Sequence, residues 1–253
     1  MEVLLTVALI GMFMLLVEQL RPGTTLPKVT HWWPRVVVFN LVQASSVFVA
    51  AVTWDLWLPE YRLLDNRALS PWFGALLGYL AITFVYYWWH RARHQVSFLW
   101  RWFHQLHHSP QRLEVVTSFY KHPIEILTNS LLSSVVLYFV CGLSPEAVSI
   151  AVLLMGGAEF FYHWNIKTPY WIGFLIQRPE SHRAHHEYGI HARNFSDLPL
   201  WDMLFGTFYN PAVSPEKCGF SVEKEQRLWA MLTGKQVTGV NHHIHNKESL
   251  YES

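Results

Sequence analysis

Residues 71–108 read PWFGALLGYLAITFVYYWWHRARHQVSFLWRWFHQLHH, an apolar run that passes directly into closely spaced histidines. At about 1.5 Å per helical residue, the run 71–89 nearly crosses a hydrocarbon layer about 30 Å thick. The first histidines then follow where such a helix would leave the membrane. This stretch predicts a membrane helix that places imidazole side chains at one membrane face.

The composition of the chain favours a membrane protein over a soluble domain. Of its 253 residues, 51% are hydrophobic and only 15% are charged. The net charge of +1 provides no cationic field, so we do not expect nucleic acid as a partner. Cys141 and Cys218 are the only cysteines, which excludes a disulfide framework, a zinc ribbon and an iron–sulfur site.

Four further apolar runs surround the opening stretch, at 3–20, 36–54, 126–142 and 145–162. Five such runs in a small chain predict an all-α integral membrane protein with about five membrane-embedded helices. For the last two runs, which are shorter, buried core helices are the alternative. For the first run the alternative is a secretory signal peptide, which we disfavour because Glu2 replaces the expected basic start.

Lysine and arginine are distributed unevenly between these runs. The loops 21–35 and 90–125 and the tail after 162 together hold 17, whereas the 55–70 loop and the 142–145 turn hold two. By the positive-inside rule, this distribution predicts an outside N terminus, five crossings and a cytoplasmic C terminus. Every histidine cluster then faces the cytoplasm.

The chain is predicted to divide near residue 211. Residues 1–211 are predicted to form a single membrane-embedded domain that contains the histidine boxes at 90–186. After residue 212 the sequence turns polar and has no strong period. We predict that 212–253 form a partly ordered cytoplasmic tail, in which His242, His243 and His245 bind metal only opportunistically.

The histidines form three clusters with helical spacing, at 90–94, 104–108 and 182–186. Residues three and four apart share a helix face, so HxxxH and HxxHH place imidazoles side by side. Imidazole binds iron, zinc, copper or nickel without distinguishing them. With His163 the clusters supply nine imidazoles, roughly four to five for each of two metals. A lone interfacial histidine more often binds headgroups or backbone, but three spaced clusters predict a dimetal site.

The sequence resembles the fatty acid hydroxylase and sterol desaturase superfamily of integral-membrane di-iron enzymes. The resemblance lies in WWHRARHQVSFLWRWFHQLHHSP at 88–110, SFYKHPIE at 118–125, FYHWNI at 161–166, PESHRAHHEYG at 179–189 and WDMLFGTFYNP at 201–211. These motifs span about half of the chain in a fixed order. The compact chain looks like bacterial members, so we expect a multi-pass protein of the bacterial inner membrane.

The resemblance implies a helical membrane domain under a cytosolic cap that holds two non-haem irons. It also implies O2 activation and the hydroxylation or desaturation of a lipid C–H bond. The metal ligands that it implies are His90, His94, His104, His107, His108, His163, His182, His185 and His186. The sequence departs from some members at Glu159, where they have a second histidine one turn before His163.

Four further positions are weaker candidates for ligands or for partners of ligands. Glu159 could bind metal or accept an imidazole N–H, because an ionisable group near the membrane boundary needs a partner. His122 matches a family motif, although it could serve only to order its loop. Asn165 and Asn194 could cap or turn the chain as readily as they could touch the site.

These observations predict an O2-dependent oxygenase that hydroxylates a fatty acyl chain or a sterol-like lipid, because an unactivated C–H bond requires metal chemistry. A desaturase with the same irons is the first alternative. The second is a metal-binding or transport protein, which is disfavoured because the histidines cluster at one face. No GxGxxG or CxxCH motif occurs, so electrons must come from a separate ferredoxin- or cytochrome-type protein. Its candidate docking residues are Arg91, Arg93, Arg101 and Arg112.

Overall fold

The computed structural model describes residues 2–190 and 192–239. Within them all regular elements are helical, as predicted, and Glu187 pairs with Cys218 in an isolated bridge. The α-helices are α1 (Glu2–Leu20), α2 (Trp32–Val52), α3 (Pro71–Gln95), α4 (Ser97–Phe103), α5 (Pro123–Ser134), α6 (Pro145–His163), α7 (Pro179–His185), α8 (Pro199–Leu204), α9 (Val222–Glu225) and α10 (Leu228–Leu232). A π-helical turn, Val135–Val140, extends α5.

Three helical segments of the described chain are long and apolar enough to cross a membrane. They are Trp32–Glu60, Pro123–Val140 and Pro145–His163. The apolar part of α1, Leu5–Leu20, is shorter. α3 is also long, but it is not one of these three segments, because its tyrosine, tryptophan and glycine residues lower its mean hydropathy. The multi-span membrane character is therefore confirmed, while the count of five crossings and their orientation stay predictions.

Local sequence signals explain where the long helices begin. Pro71, Pro123 and Pro145 each occupy the first turn of a helix, where proline is preorganised and its missing N–H costs no hydrogen bond. Ser144 also caps α6, since its hydroxyl accepts a hydrogen bond from the backbone N–H of Ala147 at 3.3 Å. These starts place the C-terminal ends of α3 and α6, and their histidines, on the same side of the fold.

Small residues bring α3 and α6 close together. A Cβ added at Gly74 would lie 2.9 Å from the Cβ of Ala147, and one added at Gly78 would lie 2.6 Å from Leu143. Ala75 and Ala151 are completely buried in the same contact. Glycine and alanine permit this approach because they leave little between the two helix backbones.

The turn between the π-helical segment and α6 lies away from the histidines. Gly142 has a φ of +59°, and a Cβ there would overlap the carbonyl of Leu64. The loop before α3 closes on this turn, with Leu63 N donating to Phe139 O at 2.7 Å. We call this side of the molecule the hairpin end, and the opposite side the histidine end.

Residues 212–239 pack over the histidine end. Phe220, Met231 and Val237 join Trp32 and Trp100 in one buried cluster. The backbone is tied down as well, because Gly219 N donates to His186 O and Phe220 N donates to Ser109 O. This segment therefore covers the second and third histidine boxes. The division into a domain and a tail at residue 211 stays a prediction, and residues 240–253 with the NHHIH stretch lie outside the described residues.

Candidate metal centre

The structure brings all nine predicted histidines into two adjoining groups. The five-histidine group contains His90, His94, His104, His108 and His185, and the four-histidine group contains His107, His163, His182 and His186. Within each group, one ring nitrogen from every residue lies within 4.8 Å of the others. The groups touch, since the rings of His108 and His186 stack with centroids 4.1 Å apart.

Each HxxHH box contributes to both groups. In the second box, His104 and His108 lie one turn apart and enter the five-histidine group, while His107 turns to the other group. The third box has the reverse arrangement. Its outer residues, His182 and His186, belong to the four-histidine group, and His185 belongs to the five-histidine group. α7 carries this third box in a seven-residue helix in which Pro179 occupies the first turn. Both boxes therefore tie the two groups to each other.

The spacing between ring nitrogens fits coordination to metal ions. His104 Nε2 lies 2.8 Å from His90 Nε2 and 3.1 Å from His108 Nε2. In the other group, His182 Nε2 lies 3.1 Å from His163 Nε2. Two imidazole nitrogens that bind one ion at about 2.1 Å and at right angles would lie about 3 Å apart. The observed separations are close to this value in both groups.

The outer ring nitrogens are held by backbone carbonyls, which turns the inner nitrogens toward the groups. His90 Nδ1 donates to Phe195 O at 2.8 Å, and His185 Nδ1 donates to Arg193 O at 2.6 Å. His163 Nδ1 makes the same type of bond, at 2.8 Å, to the carbonyl one helical turn earlier. Such a bond selects the tautomer whose Nε2 carries a free lone pair.

The histidines that lie outside the spanning segments are neutral because they are buried. Desolvation lowers the pKa of His104, His107, His108 and His182 well below the ordinary value, and neighbouring imidazoles and basic side chains lower it further. His107 Nδ1 is buried, and no described atom forms a hydrogen bond with it. Closely packed neutral imidazoles offer many lone pairs and few donors, which is the chemistry that a transition-metal ion satisfies. The donor set therefore fits two metal ions.

Glu159 and His122 lie outside both groups. The Glu159 carboxylate pairs with Lys121, and its backbone carbonyl, not its side chain, accepts the bond from His163 Nδ1. His122 caps α5, where its Nδ1 accepts from Ile124 N at 3.1 Å. Its Nε2 donates to a backbone carbonyl of α10 at 3.2 Å. In this arrangement both residues support the elements that carry the grouped histidines.

The two asparagines organise loops next to the site. Asn165 binds the backbone carbonyl of Thr24 at 2.9 Å, and so joins the end of α6 to the loop after α1. Asn194 has a φ of +57° and donates to the carbonyls of Ser181 and Tyr209. Asparagine tolerates this left-handed conformation better than most residues. Neither asparagine belongs to a histidine group.

Two buried side chains that the sequence analysis did not single out contact the rings. Glu125 Oε1 accepts from His104 Nδ1 at 3.1 Å, and the amide of Gln177 lies 2.9 Å from His182 Nδ1. Glu125 also pairs with Arg93, which comes 32 positions earlier. No sequence spacing links such distant residues. An acid in the first turn of a helix that starts with proline was the one available signal in the sequence.

The arginines predicted to dock an electron donor are not equally accessible. Arg93 is only 4% exposed and is committed to Glu125, so it cannot form part of a docking surface. Arg112 is bound to Glu114 at 2.6 Å. Arg91 bonds the hydroxyl of Tyr87 at 3.0 Å. The prediction was wrong for Arg93 because its charge balances a buried carboxylate.

Comparisons with known proteins match the histidine-bearing part of the chain. The model of the fatty acid hydroxylase family covers residues 75–207, more than half of the chain. The human alkylglycerol monooxygenase is 29% identical over 155 residues, which cover 59% of this chain and 33% of that protein. The ornithine lipid hydroxylase OlsE of Rhizobium tropici is 29% identical over 226 residues, or 81% of this chain and 65% of the hydroxylase.

A plant protein shows similar coverage. Protein CER1-like 2 of Arabidopsis thaliana is 29% identical over 211 residues, which cover 77% of this chain and 32% of that protein. The aligned segments thus make up about a third of the human and plant relatives, and about two thirds of the bacterial one. No solved structure matches the chain significantly.

Proposed function

Because this chain belongs to the fatty acid hydroxylase family of membrane non-haem di-iron oxidoreductases, we propose that it hydroxylates a C–H bond of a lipid with O2. The proposal assigns two iron ions to the two histidine groups. The single observation that carries it is the convergence of nine imidazoles in two adjoining groups next to the C-terminal ends of α3 and α6. A lone structural metal would not require a second group of this kind.

The protein's own residues hold, orient and shield the centre. Iron, when bound, supplies the oxidising chemistry for an unactivated C–H bond, which amino-acid side chains cannot supply. The carbonyls of Phe195 and Arg193 fix the orientation of ligands in the five-histidine group. Trp100 is 1% exposed and packs on His94 and His108, with ring centroids 5.4 Å apart in each case, which keeps water from that side.

A lipid substrate follows from the surroundings of the site and from the names of two relatives. Large apolar side chains remain exposed on the spanning segments, among them Val37, Phe48, Leu131 and Leu154. This surface suits contact with acyl chains. One relative is named a lipid hydroxylase and another an alkylglycerol monooxygenase. We therefore propose that the substrate is a membrane lipid that approaches from the bilayer.

We also propose a source of electrons for the reaction and an orientation of the protein in the membrane. The chain has no nicotinamide-binding motif, so a separate ferredoxin- or cytochrome-type protein would supply the electrons. The two long loops and the tail predicted to be cytoplasmic hold 17 of 19 basic residues, which supports a cytoplasmic histidine end. A bacterial inner membrane is the proposed location because OlsE of Rhizobium tropici aligns with 81% of this chain.

Lipid analysis under labelled oxygen tests the proposed activity. Hosts that express the wild-type chain or His185→Ala are grown under 18O2, and their lipids are compared by mass spectrometry. We expect one lipid class to gain a single 18O atom with the wild-type chain only. Loss of two hydrogens without oxygen would identify a desaturase instead, and identical lipids in both hosts would contradict an oxidative function.

A further inference from the structure

Arg93, His104 and Glu125 form a charged cluster behind the five-histidine group. Glu125 is 0% exposed, Arg93 is 4% exposed and His104 is 2% exposed. One carboxylate oxygen, Oε1, accepts from Arg93 Nη1 and also from His104 Nδ1, the latter at 3.1 Å. A buried carboxylate is costly unless it is paired, and the arginine meets that need. The second bond, to the imidazole, ties this ion pair to the metal centre.

The bond from Glu125 acts on the five-histidine group. His104 binds the carboxylate with Nδ1, and its Nε2 lies on the opposite side of the ring, within 3.1 Å of two other Nε2 atoms of that group. A carboxylate that accepts an imidazole N–H fixes the tautomer and makes the other nitrogen a stronger electron donor.

Two histidines of the four-histidine group have neutral partners. His163 Nδ1 donates to the backbone carbonyl of Glu159, and His182 Nδ1 meets the side-chain amide of Gln177. Neutral partners orient an imidazole but polarise it less than a carboxylate, because charge-assisted hydrogen bonds are stronger. The contact that Glu125 makes with His104 therefore differs from these two contacts in its electrostatic strength.

We propose that Glu125 is a positioning residue that acts through His104, and that it raises the electron density at a metal bound by the five-histidine group. The role of Arg93 follows from the same geometry, since its guanidinium binds the Oε1 atom that also accepts from His104 and so holds the carboxyl group against that ring. This inference rests on the proposed dimetal function. It explains why an arginine inside the first histidine box is buried.

Iron spectroscopy of purified protein tests this role without depending on turnover. Wild-type, Glu125→Gln and Glu159→Gln proteins are loaded with 57Fe, and their ferrous forms are compared by Mössbauer spectroscopy. We expect Glu125→Gln to shift the signal of one iron and to weaken the binding of that iron about 10–100-fold in chelator competition. Glu159→Gln is the matched control, because this carboxylate pairs with Lys121. It is expected to leave both signals unchanged.

The outcomes separate the role of Glu125 from the proposed function. If Glu125→Gln does not fold, Glu125→Asp retains the charge and moves the carboxylate away from His104, so the same single signal must shift. Unchanged signals, equal shifts of both irons or an equal effect of Glu159→Gln would overturn the role. A wild-type protein that binds fewer than two irons would instead contradict the dimetal function.

Discussion

The histidine end and the hairpin end of the α3–α6 pair are built by opposite means. At the hairpin end, Gly74 and Ala147 allow two helices to touch with no polar group between them. At the histidine end, His94 and His163 come from the same two helices and enter buried polar groups. Small apolar residues thus set the distance between the two helices that carry His90, His94 and His163. The nine grouped histidines lie at one end of the helix pair, and the contact at the other end aligns the two helices.

Removing one ligand from each group should have the largest effect. We expect His107→Ala and His185→Ala each to abolish lipid oxidation and to lower the iron content, because each deletes an imidazole from a different group. Leu143→Ala at the hairpin end is the control. It removes a side chain that is 3% exposed, so it should cost about 2–5 kcal/mol of stability while the folded fraction keeps its iron. Full activity of either histidine variant would contradict the contrast between the histidine end and the hairpin end.

Substitution of Gly74 tests the alignment role of the hairpin end. A Cβ there would lie 2.9 Å from the Cβ of Ala147, so the two helices would have to separate. We expect Gly74→Ala to lower the free energy of unfolding by about 1–3 kcal/mol, as overpacking does. Gly156→Ala on α6 is the matched control, because an added Cβ meets no atom within 4 Å. Thermal unfolding in detergent should rank the two variants, and equal stability would remove the alignment role.

The pH dependence of the metal-free protein should show a smaller effect. Burial lowers the pKa of His107 and His182 in the folded state, whereas in the unfolded chain they titrate near about 6.5. The unfolded state therefore binds more protons below that pH, and the stability of the apoprotein falls as the pH drops through it. Melting temperatures between pH 8 and pH 5 measure this slope. The contribution of these histidines is the difference in slope from a His107→Gln, His182→Gln variant, because burial also raises the pKa of Asp197 to about 7 and that of Asp202 to about 6, and these acids stabilise the folded state toward low pH. Equal slopes in the two proteins would contradict neutral buried histidines.

Much of this arrangement could be predicted from sequence because it is local. The apolar runs of α2, α5 and α6 and the spacing within each histidine box are repeated over a few residues, so they identify helices and shared faces. The assignment of His107 and His185 to opposite groups could not be predicted. Neighbouring histidines in one HxxHH box belong to different groups, and only the packing of α3, α6 and α7 determines which.

Two further features could not be predicted, because they depend on contacts between residues that are distant in the sequence. The bond between Glu125 and His104 joins residues 21 positions apart, on different elements. Similarly, the carboxylate of Glu159 was a reasonable ligand from its position one turn before His163, yet Lys121 binds it from another loop. Spacing along one helix reveals neighbours on that helix and not partners supplied by the rest of the fold.

The iron content of gently purified wild-type protein tests the central claim most directly. Iron and protein concentrations are measured in the same sample, after anaerobic reconstitution and removal of loosely bound metal. The two histidine groups predict close to two irons per chain. A saturating value of one, with the ligands of the second group free to react with an imidazole-modifying reagent, would contradict the dimetal centre.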